Sequence, residues 1–224
     1  MTKSLSFVLV ISLLLLVSGA AFATSGGELL SFQGLGSEQP VANFYNGGGL
    51  SSTPNFGVTF SSNFLGLKSP PGSFLPDPTG TPAIFICPGG VAANCSSGSS
   101  VGVMNVANGF SSGIDFFYAA GKTETVTVWS GANGTGTILL TITLSPNSCT
   151  QGGNICQYQW SQFGQSFSGT AHSVTFSGPG DQFGLADITL GSSTTAIPEP
   201  SPVYLLGAGL GILGLGKIRR FLIA

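Results

Sequence analysis

Glu124-Thr125-Val126-Thr127-Val128-Trp129, Gly131-Ala132-Asn133-Gly134-Thr135-Gly136 and Thr137-Ile138-Leu139-Leu140-Thr141-Ile142-Thr143-Leu144 follow one another with only Ser130 intervening. In the third segment Ile138, Leu140, Ile142 and Leu144 alternate with mostly Thr, and a side-chain period of two puts all four on one face of a strand. The first segment behaves the same way. One-sided alternation of this kind marks antiparallel strands that cover a core with one face and meet solvent with the other. The glycine-rich segment between them contains Asn133-Gly134, a step that readily takes the positive φ angles of a tight hairpin turn. The stretch therefore predicts a β-hairpin.

Strand-like runs continue on both sides of it. Before the hairpin (124–129 and 137–144) they lie at 29–32, 56–60, 83–86, 101–106 and 113–118; after it they lie at 157–163, 173–177 and 182–190. Gly, Pro, Ser and Thr breaks separate them, and no helical period survives inspection. Short strands with turn signals at this spacing predict an all-β, antiparallel β-sandwich.

Composition removes several function classes. Charged residues make up 6% of the 224-residue chain, against about 25% in an average globular protein. Six Lys and Arg cannot form the basic stripe that neutralises phosphates, so no nucleic-acid partner is expected. A formal net charge of -2 gives no long-range field for steering a charged ligand. Within residues 24–197, Lys68 and Lys122 stand against Glu28, Glu38, Asp77, Asp115, Glu124, Asp181 and Asp187, so the central domain is more acidic than the whole chain.

Much of the hydrophobicity sits at the two ends. Lys3, an apolar run over 5–17 and Ala21-Phe22-Ala23 have the order of a secretory signal peptide, residues 1–23, cut after Ala23. Residues 198–224 begin with Pro198-Glu199-Pro200, continue through an uncharged, glycine-rich apolar stretch at 203–216 and end in a basic cluster containing Lys217, Arg219 and Arg220. That stretch predicts a short C-terminal transmembrane helix, below the roughly 20 residues of a full span, with its basic end held in the cytoplasm.

The combination of Pro198-Glu199-Pro200, a short apolar span and a basic end resembles the PEP-CTERM sorting signal of Gram-negative bacteria. The resemblance implies recognition by an exosortase, transient inner-membrane anchoring, cleavage near Pro198-Glu199-Pro200 and delivery to the cell surface or the extracellular polysaccharide matrix. Interior segments resemble the surface domains that accompany such tails. They include 30–35, 43–48, 103–110 and 116–118 leading into 126–129 and 134–136. This likeness implies a jelly-roll-like sandwich for residues 24–197 and says little of activity.

Cys87, Cys95, Cys149 and Cys156 form an even set in a chain read as exported, which suggests disulfides with three connectivities open in principle. Local pairing, Cys87 with Cys95 and Cys149 with Cys156, is favoured because each closes a short loop at low entropic cost. Neither pair has the spacing of a zinc knuckle.

Signals for catalysis are sparse. His172 is the one histidine, and no Gly-x-Ser-x-Gly nucleophile elbow accompanies it. A glycosidase needs two facing carboxylates, and no pair in the sequence is singled out. Two binding readings remain. Asp181 and Asp187, beside first-strand carbonyls near Phe32, are candidate ligands for a structural calcium; no cofactor is otherwise required. Tyr158, Trp160, Asn43 and Asn46 offer the flat rings and amides suited to a saccharide, although the alternation in Gln157-Tyr158-Gln159-Trp160 equally describes a core strand. The expectation is an exported, non-catalytic protein with a structural or adhesive role in exopolysaccharide, served by exosortase and the secretion machinery. The alternatives are a secreted carbohydrate-binding module and a polysaccharide hydrolase.

Overall fold

The structure is a computed structural model that describes residues 27–67, 79–80, 82–91, 95, 99–147 and 158–193. The expected signal peptide, the sorting segment with Pro198, Glu199, Pro200, Lys217, Arg219 and Arg220, and the Cys149 and Cys156 pair lie outside those residues. No helix among the described residues is long and apolar enough to cross a membrane.

The chain forms β1 (Glu28–Leu30), β2 (Val58–Phe60), β3 (Phe64–Leu67), β4 (Ala83–Ile86), β5 (Ser99–Phe110) and β6 (Gly113–Ala120). It continues through β7 (Glu124–Trp129), β8 (Ile138–Leu144), β9 (Ser161–Ser166), β10 (Ala171–Pro179) and β11 (Phe183–Leu190). All pairings are antiparallel. One sheet has the order β3-β4-β11-β6-β9, with β1 also on β11, and the other has the order β2-β5-β10-β7-β8. From β4 onward the chain crosses repeatedly between the sheets, leaving two strands in succession in the same sheet only at the β7–β8 hairpin. Two antiparallel sheets with no described α-helix are the all-β sandwich that the spacing of the strands predicts.

The hairpin forms with Asn133 at φ 56° and Gly134 at φ 67°, the two positive angles its turn requires. One detail departs from the alternation. Val128 pairs with Leu140 but Trp129 pairs with Ile138, so Leu139 is the extra residue of a bulge. A slip of one residue turns the following side chain to the other face, and Ile138, expected on the core side, is 52% exposed. β3 was not among the expected strands because Phe64-Leu65-Gly66-Leu67 does not alternate. The run at 157–163 is displaced: Tyr158 and Trp160 precede the strand, which begins at Ser161.

Aromatic rings make an unbroken line through the core. Phe32 meets Phe60 at 5.9 Å between centroids, Phe60 meets Phe64 at 5.3 Å, Phe64 meets Phe176 at 5.8 Å, and Phe176 meets Phe116 and Phe183 at 6.3 Å each. Edge-to-face geometry dominates, as the ring quadrupoles favour. A smaller apolar cluster of Leu65, Phe85 and the Cys87–Cys95 disulfide lies apart from this core.

An ionisable side chain sits on the inner face. Glu124 is fully buried at the start of β7, and neither carboxylate oxygen has a hydrogen-bond partner. It fits because Gly178, one step beyond the Ser177↔Thr125 pair, has no side chain: a Cβ there would fall on the carboxylate. Burial pushes the Glu124 carboxyl up from 4.5 to about 8, so the folded protein holds this proton more tightly than the unfolded chain. Its contribution to stability is complete below the unfolded value and is lost as pH rises through the folded one.

Three variants should change stability. In chemical denaturation, Glu124→Gln should gain on the wild type by up to ~1.4 kcal/mol per pH unit between the unfolded and folded pKa values, with the difference level above about pH 8. Gly178→Ala should lose about 2 kcal/mol or more through overpacking. Replacing Cys87 and Cys95 together by Ser should cost about 2–3 kcal/mol, the loop-closure contribution of a short bridge.

Candidate functional site

The second irregularity in the sheets builds a groove. Ala171 pairs with Phe110 and Ser173 with Asn105, so Val106, Ala107, Asn108 and Gly109 of β5 stand opposite the single residue His172 of β10. Bulges re-aim side chains and increase local twist. Gly109 carries the turn at φ 68°, where a Cβ would come 2.9 Å from His172 Cε1 and 2.7 Å from the Thr170 methyl. The displaced strand meets the preceding loop, with the Ala107 amide donating to the Gly57 carbonyl at 3.0 Å.

The resulting groove has a volume of about 510 Å³ and is lined by Asn46, Gly57, Thr59, Asn105, Val106, Ala107, Gly131, Ala132 and His172. Thr59 points outward because Val58 and Phe60 on either side of it face the core. Asn105 lies beside Thr59 in the ladder, between the buried Met104 and Val106. The far wall is the hairpin turn, and its position is fixed by polar bonds. Asn105 Nδ2 donates to Asn133 Oδ1 at 2.8 Å, while the Asn133 amide donates to Asn105 Oδ1 at 2.7 Å. The buried Ser173 hydroxyl accepts from the Gly134 amide at 2.9 Å and donates to the Gly131 carbonyl at 2.6 Å. The side chains of Asn46, Thr59 and His172 make no hydrogen bond with another described residue.

The expected ligand-binding residues do not assemble into one site. Asn46 lines this groove, whereas Asn43 lines a second one of about 420 Å³ with Gly34, Gln39, Gly48 and Leu50. Tyr158 and Trp160 are half-buried at the opposite end of the sandwich, where β6 ends, and the Tyr158 hydroxyl lies close against Gly121. Burial, followed by the Asp181 charge, raises the Tyr158 pKa. Thr59, Asn105 and His172 were not selected as binding residues from sequence. The strand-like run read at 101–106 stops short of Gly109, which the structure places inside β5, where a glycine marks a bulge.

The two calcium candidates are also separated. Asp181 sits in the β10–β11 turn at φ 60°, its amide donating to the Ile86 carbonyl at 2.9 Å, and burial raises its pKa. Asp187 lies six residues further along β11, roughly 20 Å away along an extended strand, too far for one ion to touch both. It occupies another bulge, because Asp187 and Ile188 face one residue between Phe117 and Asp115 of β6. The Asp187 carboxylate is buried and accepts a hydrogen bond from the Thr79 hydroxyl. Near it the Tyr45 hydroxyl accepts from the Phe32 amide at 2.6 Å. Burial, opposed by that hydrogen bond and reinforced by the Asp187 charge, pushes Tyr45 up to about 12. No cluster of three or more His, Cys, Asp or Glu suited to a metal occurs among the described residues.

No family model matches the sequence, and no curated protein matches it. Among solved structures, a family 6 carbohydrate-binding module aligns at TM-score 0.38 and 12% identity, covering 75% of this chain and 95% of that one. The K1 cleaved adhesin domain of Lys-gingipain from Porphyromonas gingivalis W83 aligns at TM-score 0.38 and 16% identity, over 58% and 84% of the two chains. CsCBM6-3 from Clostridium stercorarium, solved with cellobiose, aligns at TM-score 0.31 and 15% identity, over 58% and 93%. Likenesses this loose transfer neither a site nor a ligand to this chain.

The Asn105–Asn133 pair yields a direct test of how the groove wall is held. Asn105→Ala should cost about 1–2 kcal/mol and raise amide hydrogen exchange at Asn133 and Gly134, with the β10 core amides unaffected.

Proposed function

We propose that this chain is exported and works without catalysis, as an adhesive or structural module that binds extracellular polysaccharide at the cell surface or in the matrix. The observation that carries this reading is the placement of the carboxylates. Glu124 is enclosed behind Gly178, Asp187 is held by Thr79 inside β11, and Asp115 is buried with Gln162 Nε2 at 3.1 Å from Oδ2. Asp181 lies in a turn at the other end of the molecule from the groove beside His172. A glycosidase needs two carboxylates about 5–10 Å apart across a cleft, and neither groove has a carboxylate in its lining. The hydrolase alternative therefore has no support from the lining of these grooves. Uncharged grooves that mix polar and apolar lining suit binding.

Export rests on the signal-like residues 1–23 and agrees with the Cys87–Cys95 bridge, since disulfides persist in oxidising compartments. Sorting by an exosortase rests on the resemblance of residues 198–224 to a PEP-CTERM signal. Mass spectrometry of the protein recovered from its native surface should find Thr24 at the amino terminus and a carboxyl terminus near Pro198-Glu199-Pro200. A recovered chain that retains residues 203–224 would contradict cleavage. Incubated with the host's own exopolysaccharide, the protein should be retained and release no reducing ends; release of reducing ends would establish a hydrolase instead.

A further inference from the structure

We propose that the groove at the β5–β10 bulge is the saccharide-binding site and that it takes an uncharged polysaccharide, recognised through Asn46, Thr59 and His172. The proposal rests on the polysaccharide-binding reading and adds to it a location and a ligand class. Three polar side chains of different hydrogen-bonding type converge on one open concavity without being spent on each other or on neighbouring described residues. An amide donates and accepts, a hydroxyl donates and accepts, and an imidazole has one nitrogen of each kind when neutral. That set matches the alternating donor and acceptor roles of sugar hydroxyls.

The rest of the lining narrows the ligand further. Ala107, Ala132 and the Gly57 and Gly131 backbones supply apolar and flat surface between the polar groups, the mixture typical of small-molecule sites of about 300–1,000 Å³. Among the described residues no Lys, Arg, Asp or Glu borders the groove, so its lining offers no permanent charge to pair with a uronate, sulfate or phosphate group. Trp129, whose indole N–H donates to Thr175 Oγ1 at 3.0 Å, does not line the groove, so no aromatic ring forms part of its wall. Recognition therefore falls to hydrogen bonds made in a preformed groove. Both walls are fixed before any ligand arrives, one by the Ala107–Gly57 bond and the other by the Asn105–Asn133 pair.

Affinity electrophoresis of the full chain through gels containing galactomannan, β-glucan or arabinogalactan, with alginate as the anionic comparison, tests this directly. Ala132→Trp fills the groove from an exposed turn position and His172→Ala removes a recognition group, while Leu50→Ser alters the second groove alone. Melting temperatures matching the wild type show that each variant is folded. The expected result is retardation by at least one neutral polysaccharide, unaffected by 0.5 M NaCl and weakened about tenfold or more by Ala132→Trp and by His172→Ala, with Leu50→Ser unchanged. Wild-type retention that survives both groove variants overturns the site and leaves the polysaccharide-binding reading standing. Retention by alginate alone, lost at high salt, overturns the uncharged class. A wild type retarded by none of the four gels overturns the site and the reading together.

Discussion

The arrangement depends on β11 being enclosed. Every residue from Phe183 to Leu190 is buried, and this strand joins the two halves of its sheet: β4 and β1 pair along one edge, β6 along the other. Without β11, neither β1 nor the β3–β4 pair has a described ladder to β6 and β9. Strand sequences buried on both faces need small or apolar residues throughout, and β11 meets this with Phe183, Leu185, Ile188 and Leu190 on the core side and Gly184 and Ala186 between them. The constraint is long-range. The amino-terminal strand closes against the last strand of the described domain, so the sheet is complete only when the whole domain is present, and that high contact order implies slow folding.

Polar groups inside this framework occupy places the backbone has made for them. Gly178 leaves the volume that Glu124 fills, and a bulge in β11 turns Asp187 toward Thr79. Asp115 is covered at the sheet surface, where the chain near Ser193 crosses Gly164. The same economy operates on the outer face of the five-stranded sheet, with the opposite result. There a four-against-one bulge and a hairpin turn tied down by Asn105 and Ser173 raise two walls, and the polar groups between them stay open to solvent. Irregularities in the ladders, more than the ladders themselves, give this sandwich its chemistry.

Regular strands were the legible part. The runs at 83–86 and 124–129 coincide with β4 and β7, because a short apolar run reports a fully buried strand and unbroken alternation reports a strand with one face on the core. Where it breaks, the reading fails: Ile138 reverses its face at the Leu139 bulge, and the Gln157-Tyr158-Gln159-Trp160 alternation belongs to a connection ahead of β9. The local pairing of Cys87 with Cys95 was also legible, since a separation of eight residues closes a short loop at low entropic cost. Asn46 was picked out with Asn43, Tyr158 and Trp160, yet it shares the groove with His172 and none of those three.

By itself the sequence determined the all-β class, the hairpin at its centre and the low charge that leaves no basic stripe for nucleic acid. These are properties of composition and short-range period, which need no knowledge of distant neighbours. The tertiary structure decided which sheet each strand enters, that Glu124 points inward behind Gly178, and that Asp181 and Asp187 stand apart. It also brought Asn46, Thr59, Asn105, Ala132 and His172 to one groove. Residues so distant in sequence meet only through strand pairing and bulges, and a bulge is set by how two strands must fit the same core, which neither strand records alone.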